Sequence, residues 1–226
     1  MRFIFESSYV CCCCGKRVRE DKAHKVYKKS CICLSCYEKI KQTPKNAYFE
    51  GTKYIDFLCS PFYYCEPYRD IFLSFKFNGN FAYGHLIGMM LSDYFYSNIT
   101  LARYDCIVPV PLSKDRLNQR GYNQSDIFAQ YLSSTLGVPV IDALSRCKKG
   151  EVQSRLSALD RHLKIRGAFE VTENIDGKKI IVIDDVFTTG STLNECGAAL
   201  REYGAEAVCA VTAAYVYKRK DRVVYI

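Results

Sequence analysis

Two adjacent carboxylates ahead of a hydroxyl-rich turn are the residues best placed for chemistry: Ile180–Thr192 reads IIVIDDVFTTGST. Asp184 and Asp185 come directly behind a β-branched run, Lys179–Ile183, that suits a strand buried on both faces. In open parallel sheets, ligands bind at the carboxyl ends of such strands. Gly190 lets the backbone approach a ligand or take a conformation closed to other residues. Free N–H groups at the start of the next helix, with the hydroxyls of Thr188, Thr189, Ser191 and Thr192, make a seat for a phosphate. The aspartates would repel that phosphate, and they fit better against sugar hydroxyls or a cation with its water shell. The turn has no lysine and no G-x-x-x-x-G-K-[ST], which excludes a nucleotide P-loop. The plainer alternative is N-capping by Thr or Ser, with the acids solvated at a sheet edge.

The second cluster is sulfur. Of thirteen cysteines, seven lie between Cys11 and Cys36. In a reducing compartment, clustered cysteines are more often metal ligands than disulfides. Cys11 with Cys14 and Cys33 with Cys36 form two C-x2-C pairs, each able to present two thiolates from one tight turn to a tetrahedral Zn²⁺. Cys12, Cys13 and Cys31 are substitute ligands, so spacing leaves the register open. An iron–sulfur centre and free thiols in a poorly ordered arm are the alternatives. Cys59 and Cys65 lack the paired spacing, so one metal is expected. A finger of this size has almost no core, and zinc would supply most of its folding energy. Cys106, Cys196 and Cys209 sit in apolar runs and read as small core hydrophobes. His24, His85 and His162 are isolated and read as packed or solvated.

These groups need elements to position them. Residues 1–45 are cysteine-rich and basic. Residues 46–100 are rich in Tyr and Phe and read as a lead-in that is helical in its second half. Within them Tyr83, Leu86, Ile87, Met90, Leu91 and Tyr94 mark one face of an amphipathic helix. From Asp105 the pattern alternates: strand Cys106–Val110, helix Tyr122–Leu136 stopped at Gly137, and strand Val138–Ile141. The buried Lys179–Ile183 strand follows, then helix Ser191–Tyr203 stopped at Gly204, then strand Ala207–Ala214. That rhythm means an α/β fold with a parallel sheet and crossover helices. Residues 146–167, basic and poor in large apolar side chains, read as a mobile loop.

On these residues the chain resembles a known family. IIVIDDVFTTGST is similar to the PRPP (phosphoribosyl pyrophosphate) motif of the type I phosphoribosyltransferases. The wider chain resembles the ComF family, competence-associated proteins that join a zinc-binding finger to such a domain. The likeness extends to FLSFKFNGN around Lys76, to DCIVPVPLSKDRLNQRGYNQ (Asp105–Gln124), and to the Gln153–Phe169 segment. It implies a zinc finger over 1–45 and a phosphoribosyltransferase-like domain over 46–226, with 46–100 as its hood. It also implies that Asp184 and Asp185 hold the ribose hydroxyls of PRPP and waters of Mg²⁺, while Thr188, Thr189, Gly190, Ser191 and Thr192 grip the 5′-phosphate. Val110, Pro111, Leu112, Ser113 and Lys114 would face the pyrophosphate, with Arg116 and Arg120 nearby. Arg155, Arg161 and Arg166 are candidates to close over the site, and a solvated basic face explains them equally well.

The net charge is +8 and the pI about 8.8, so polyanions are the expected partners, although a basic surface kept for solubility fits too. Seven lysines and arginines lie between the cysteine pairs, against Glu20 and Asp21. Such a finger suits a phosphate backbone, with Tyr9, Tyr27 and Tyr37 to stack bases; it equally suits a structural clip or a docking face for another protein. No cleavable signal and no membrane-spanning stretch is evident, so a cytoplasmic location without membrane insertion is expected. Two functions follow. The first is a PRPP-responsive protein of DNA uptake that handles single-stranded DNA beside a DNA-translocating helicase, as the family implies. The second is an active, Mg²⁺-dependent phosphoribosyltransferase acting on a base or amine.

Overall fold

The computed structural model describes residues 8–44, 48–96, 98, 100–147, 168–216 and 223–224. The anticipated loop at 146–167, with Arg155, Arg161, Arg166 and His162, lies almost wholly outside these residues.

The cysteine-rich segment folds into a small sheet of β1 (Ser8–Cys11), β2 (Arg17–Arg19), β3 (Ala23–Tyr27) and β4 (Ser30–Cys33), in the order β2-β1-β4-β3. A single helical turn, α1 (Leu34–Tyr37), completes it. This unit does not stand on its own thin core. Ile32 and Ile40 are buried in one continuous apolar cluster with Phe72, Leu86, Ile87 and Met90. Full burial of one such side chain contributes about 2 kcal/mol, so the metal is not the finger's sole support. Polar contacts add to it. Lys25 Nζ meets Asp93 Oδ2 at 2.5 Å, and the Tyr27 ring stacks on His85 at 4.1 Å. His85 Nδ1 in turn lies 3.1 Å from the Tyr131 hydroxyl. His24 stacks on Tyr37 at 3.5 Å, so both described histidines are packed.

The second half of the lead-in is helical as read, α2 (Tyr68–Asn78) and α3 (Phe81–Phe95), and its first half supplies two unanticipated strands, β5 (Tyr48–Thr52) and β6 (Ile55–Cys59). Aromatic and β-branched residues in YFEGT and IDFLC favour a hairpin. The anticipated face of α3 is buried at Leu86, Ile87, Met90 and Leu91. On the same helix, Gly88 allows close approach to α5 (Gln124–Leu136), where a Cβ would fall 2.2 Å from the Tyr131 ring.

The main sheet adds β7 (Cys106–Pro109), β10 (Lys179–Phe187), β11 (Ala207–Tyr215) and β12 (Val223–Val224), with a separate short pair β8 (Leu144–Arg146) and β9 (Phe169–Val171). Its order is β12-β5-β6-β11-β10-β7; β6, β11, β10 and β7 run parallel, and the hairpin edge is antiparallel. Helices α2, α3 and α5 cover one face, and α6 (Ser191–Glu202) covers the other. Cys106, Cys196 and Cys209 are fully buried core residues. The expected strand Val138–Ile141 is reduced to a single bridge, Ile107 to Val140, because Pro139 has no N–H to continue a ladder.

Candidate functional site

Strand β10 outlasts its neighbour. Its pairing with β7 ends at Ile183, opposite Pro109, while its pairing with β11 continues through Phe187. The aspartates therefore lie inside the strand, not after it as the apolar run alone suggested, and their edge on the β7 side is open. Up to Ile183 the strand alternates between the two faces. Ile181 and Ile183 face the cluster under α2, α3 and α5, whereas Ile180 and Val182 pack with Leu193, Cys196 and Leu200 of α6. Asp185 follows the first set and meets Lys76 of α2, Nζ to Oδ2 at 2.5 Å. Asp184 lines a shallow depression with Thr188–Leu193.

The half-buried Asp184 carboxyl accepts the Asp185 N–H at 2.8 Å and the Ser125 hydroxyl at 3.4 Å. Burial first, and the neighbouring Asp185 charge second, push it up to about 7. A cation seated there would relieve both effects, so the pair fits one chemically.

Gly190, with φ at +78°, turns the chain from β10 into α6; a Cβ there would stand 2.9 Å from the Phe187 ring. Thr188, Thr189 and Ser191 are exposed, and Thr189 Oγ1 lies 2.9 Å from Ser191 Oγ. The first-turn N–H groups of α6 have no acceptor within the helix. Ring stacking of Phe187 on Tyr215, 5.4 Å between centroids, fixes the base of the turn.

Val110 reaches the same end of the sheet, its N–H donating to Ile183 O at 2.9 Å. The loop Val110–Ser113 thus runs beside the aspartates, and Ser113 Oγ caps α4 (Lys114–Arg120) by accepting the Arg116 N–H at 3.4 Å. Lys114 and Arg116 are exposed. Arg120 lies over the Phe77 ring at 5.5 Å, donates to Gln124 Oε1 at 3.2 Å, and lines one cleft with Lys76.

In the cysteine-rich unit, the sulfurs of Cys11, Cys14, Cys33 and Cys36 all lie within 4.8 Å of one another. A tetrahedral ion with Zn–S bonds of about 2.3 Å needs sulfurs about 3.8 Å apart. The four therefore fit a single structural metal such as zinc, with slight tightening. Burial raises the Cys11 thiol, yet N–H groups of Cys14, Cys33 and Cys13 outweigh it and bring the group down to about 6, toward the thiolate a metal needs. Cys31 is buried among apolar neighbours, and Cys12 sits beside Cys13 at 4.0 Å between sulfurs. Neither belongs to the four.

Comparison with known proteins agrees with this architecture. Residues 123–225 match the phosphoribosyl transferase domain. Competence protein F of Haemophilus influenzae is 35% identical over 157 residues, 65% of this chain and 67% of that protein. The chain belongs to the ComF family of competence proteins.

Other ComF relatives include competence protein ComFC of Bacillus subtilis, 31% identical over 66% of this chain and 59% of that protein. The DNA utilization protein YhgH of Escherichia coli is 39% identical over 46% of each chain. The matches thus span about half to two thirds of these relatives' own length. Among solved structures, orotate phosphoribosyltransferase from Aeropyrum pernix is similar over 60% of this chain and 61% of that one, with 19% identity and a TM-score of 0.39. The fold is of the type I phosphoribosyltransferase kind, joined to an N-terminal four-cysteine site. For this ComF chain, sequence reasoning picked out the acids and the turn but missed Ser125, whose only hint was its place at the start of a helix. It noted Lys76 only as part of a family likeness, and nothing in its spacing from Asp185 links the two.

Proposed function

We propose that the turn after β10 binds PRPP with Mg²⁺, and that this binding serves the handling of single-stranded DNA in natural transformation. On this reading Asp184 and Asp185 meet the ribose hydroxyls and waters of the cation. Thr188, Thr189, Gly190, Ser191 and Thr192 hold the 5′-phosphate. The Val110–Lys114 loop takes the pyrophosphate side, with Arg116 and Arg120 beside it. One observation carries the reading: Asp184 shares its depression with the exposed hydroxyls and the left-handed Gly190 turn, at the strand end that Val110 also reaches. An anion at the N-terminus of α6 and hydroxyls against the carboxylates satisfy the two chemistries separately.

The cellular side of the proposal is a cytoplasmic protein acting beside a DNA-translocating helicase. Its support is the basic net charge and relatives named for competence and DNA utilization. Among the described residues no helix is long and apolar enough to cross a membrane.

Calorimetric titration of PRPP and Mg²⁺, with and without a single-stranded oligonucleotide, tests both halves and their coupling. Saturable, Mg²⁺-dependent binding that vanishes in Asp184→Asn/Asp185→Asn is expected; no heat with PRPP would overturn the ligand assignment. A second reading, active transfer to a base or amine, is favoured by the matched transferase domain itself. There the protein's part would be to offset charge on the leaving pyrophosphate with basic residues and Mg²⁺. Pyrophosphate release across a panel of bases and amines tests it, and silence across the panel would count against it.

A further inference from the structure

Two of the three finger tyrosines that sequence offered for base stacking are committed elsewhere. Tyr27 stacks on His85 and Tyr37 on His24, and Tyr9 packs partly against the core. The exposed aromatic surface lies on the other module. Phe77, at the end of α2, is 67% exposed, and Phe81, opening α3, is 48% exposed. Phe81 lies 4.4 Å from the ring of Tyr122, and the Tyr122 hydroxyl donates to Phe75 O, which anchors that ring. Between Phe77 and Tyr122 runs a small cleft of about 130 Å³, open to solvent and also lined by Lys76, Gln119 and Arg120.

Apolar surface left in water at this density asks for an occupant, and its surroundings specify which. Arg120 already sits over the Phe77 ring, the geometry that also places a guanidinium beside a stacked base. The two charged residues that line the cleft, Lys76 and Arg120, are both cationic, and α4 carries Lys114 and Arg116 further along against Asp115 alone. Exposed rings interleaved with cations match a single strand, whose unpaired bases offer π-faces and whose phosphates follow the basic rim. A paired duplex hides those faces. We infer that the Phe77–Phe81–Tyr122 surface, rimmed by α4, is the seat of single-stranded nucleic acid, with a base stacked on Phe77.

This inference rests on the DNA-handling half of the proposed function and adds its location: beside Lys76, whose ammonium reaches Asp185. Base stacking and the acidic pair then sit on either side of one lysine.

Fluorescence anisotropy of a labelled oligothymidylate with the full, zinc-loaded chain at low salt tests it. Absence of binding by the wild type would overturn the DNA reading and this surface together. Given binding, Phe77→Ala is expected to weaken it about tenfold and Phe77→Trp to restore it. Arg120→Ala is expected to reduce the slope of log affinity against log salt by about one. An unchanged unfolding midpoint in Phe77→Ala would show that the fold is intact. Unchanged affinity in Phe77→Ala, with the loss appearing in Lys28→Ala/Lys29→Ala, would overturn this surface alone and move the strand to the finger. Thymidine monophosphate that competed as well as the oligonucleotide, nucleotide for nucleotide, would assign the cleft to free nucleotides and overturn the strand.

Discussion

Lys76 Nζ stands 2.5 Å from Asp185 Oδ2, tying α2 to the strand that carries the acidic pair, with the two side chains only 19% and 15% exposed. Charge-assisted contacts this sheltered are stronger than surface pairs, and removing one partner leaves the other charge poorly solvated. Lys76→Met should therefore cost about 2 kcal/mol in urea unfolding. The double variant Lys76→Met/Asp185→Asn should recover part of that loss. Strictly additive effects in the double-mutant cycle would show the pair to be uncoupled.

Asp184 supplies a pH signature. Its folded-state value, about 7, lies above the ordinary 3.8 because burial and the Asp185 charge oppose ionisation. Between those values the folded state holds a proton that the unfolded state releases, so this group's contribution is fully present below about pH 4 and is lost as pH rises through 7. Asp184→Asn should flatten that loss, gaining on wild type from pH 5 to pH 8 in chemical denaturation. A cation at the pair needs the ionised form, so Mg²⁺-dependent ligand binding should strengthen from pH 6 to pH 8.

Gly190→Ala places a side chain at φ +78° and 2.9 Å from the Phe187 ring. The substitution should cost about 1–2 kcal/mol. Because the turn must shift to accommodate it, PRPP affinity should fall further than stability alone accounts for. Calorimetry beside thermal unfolding separates the two losses.

The four-cysteine site predicts one metal per chain. Cys33→Ser and Cys36→Ser should lose it, while Cys12→Ser and Cys31→Ser should retain it, as elemental analysis of purified protein would report. The finger shares its core with α2 and α3, so stripping the metal should lower the unfolding midpoint of the whole chain. Helix α6 packs in the separate cluster on the opposite face of the sheet, and PRPP binding should survive Cys33→Ser at moderate temperature.

Much of this arrangement was legible in the residues themselves. Buried parallel strands announce themselves as β-branched runs, and α3 by the spacing of Leu86, Ile87, Met90 and Leu91, because burial selects apolar side chains at the period of the element. Short or proline-bearing segments fail that test: 138–141 lost its ladder at Pro139, and the hairpin of β5 and β6 went unread in an aromatic-rich stretch ahead of the helices. The choice of Cys11 and Cys14 over Cys12 and Cys13 depended on where one turn points its sulfurs, which spacing constrains but does not fix.

By itself, the sequence determined the chemistry available: paired acids, a hydroxyl turn hinged on glycine, two thiolate pairs, and a surplus of positive charge. Tertiary structure decided how those groups are shared out. Asp184 lines the depression of the threonine turn while Asp185 meets Lys76, although the two are neighbours in the chain. Packing of the finger against α3 occupied Tyr27, and α1 brought Tyr37 onto His24, while Phe77 and Phe81 stayed exposed beside the α4 cleft. Residue types are set by local code, but which groups face each other is set by register and packing between segments far apart in the chain, and no local pattern carries that information.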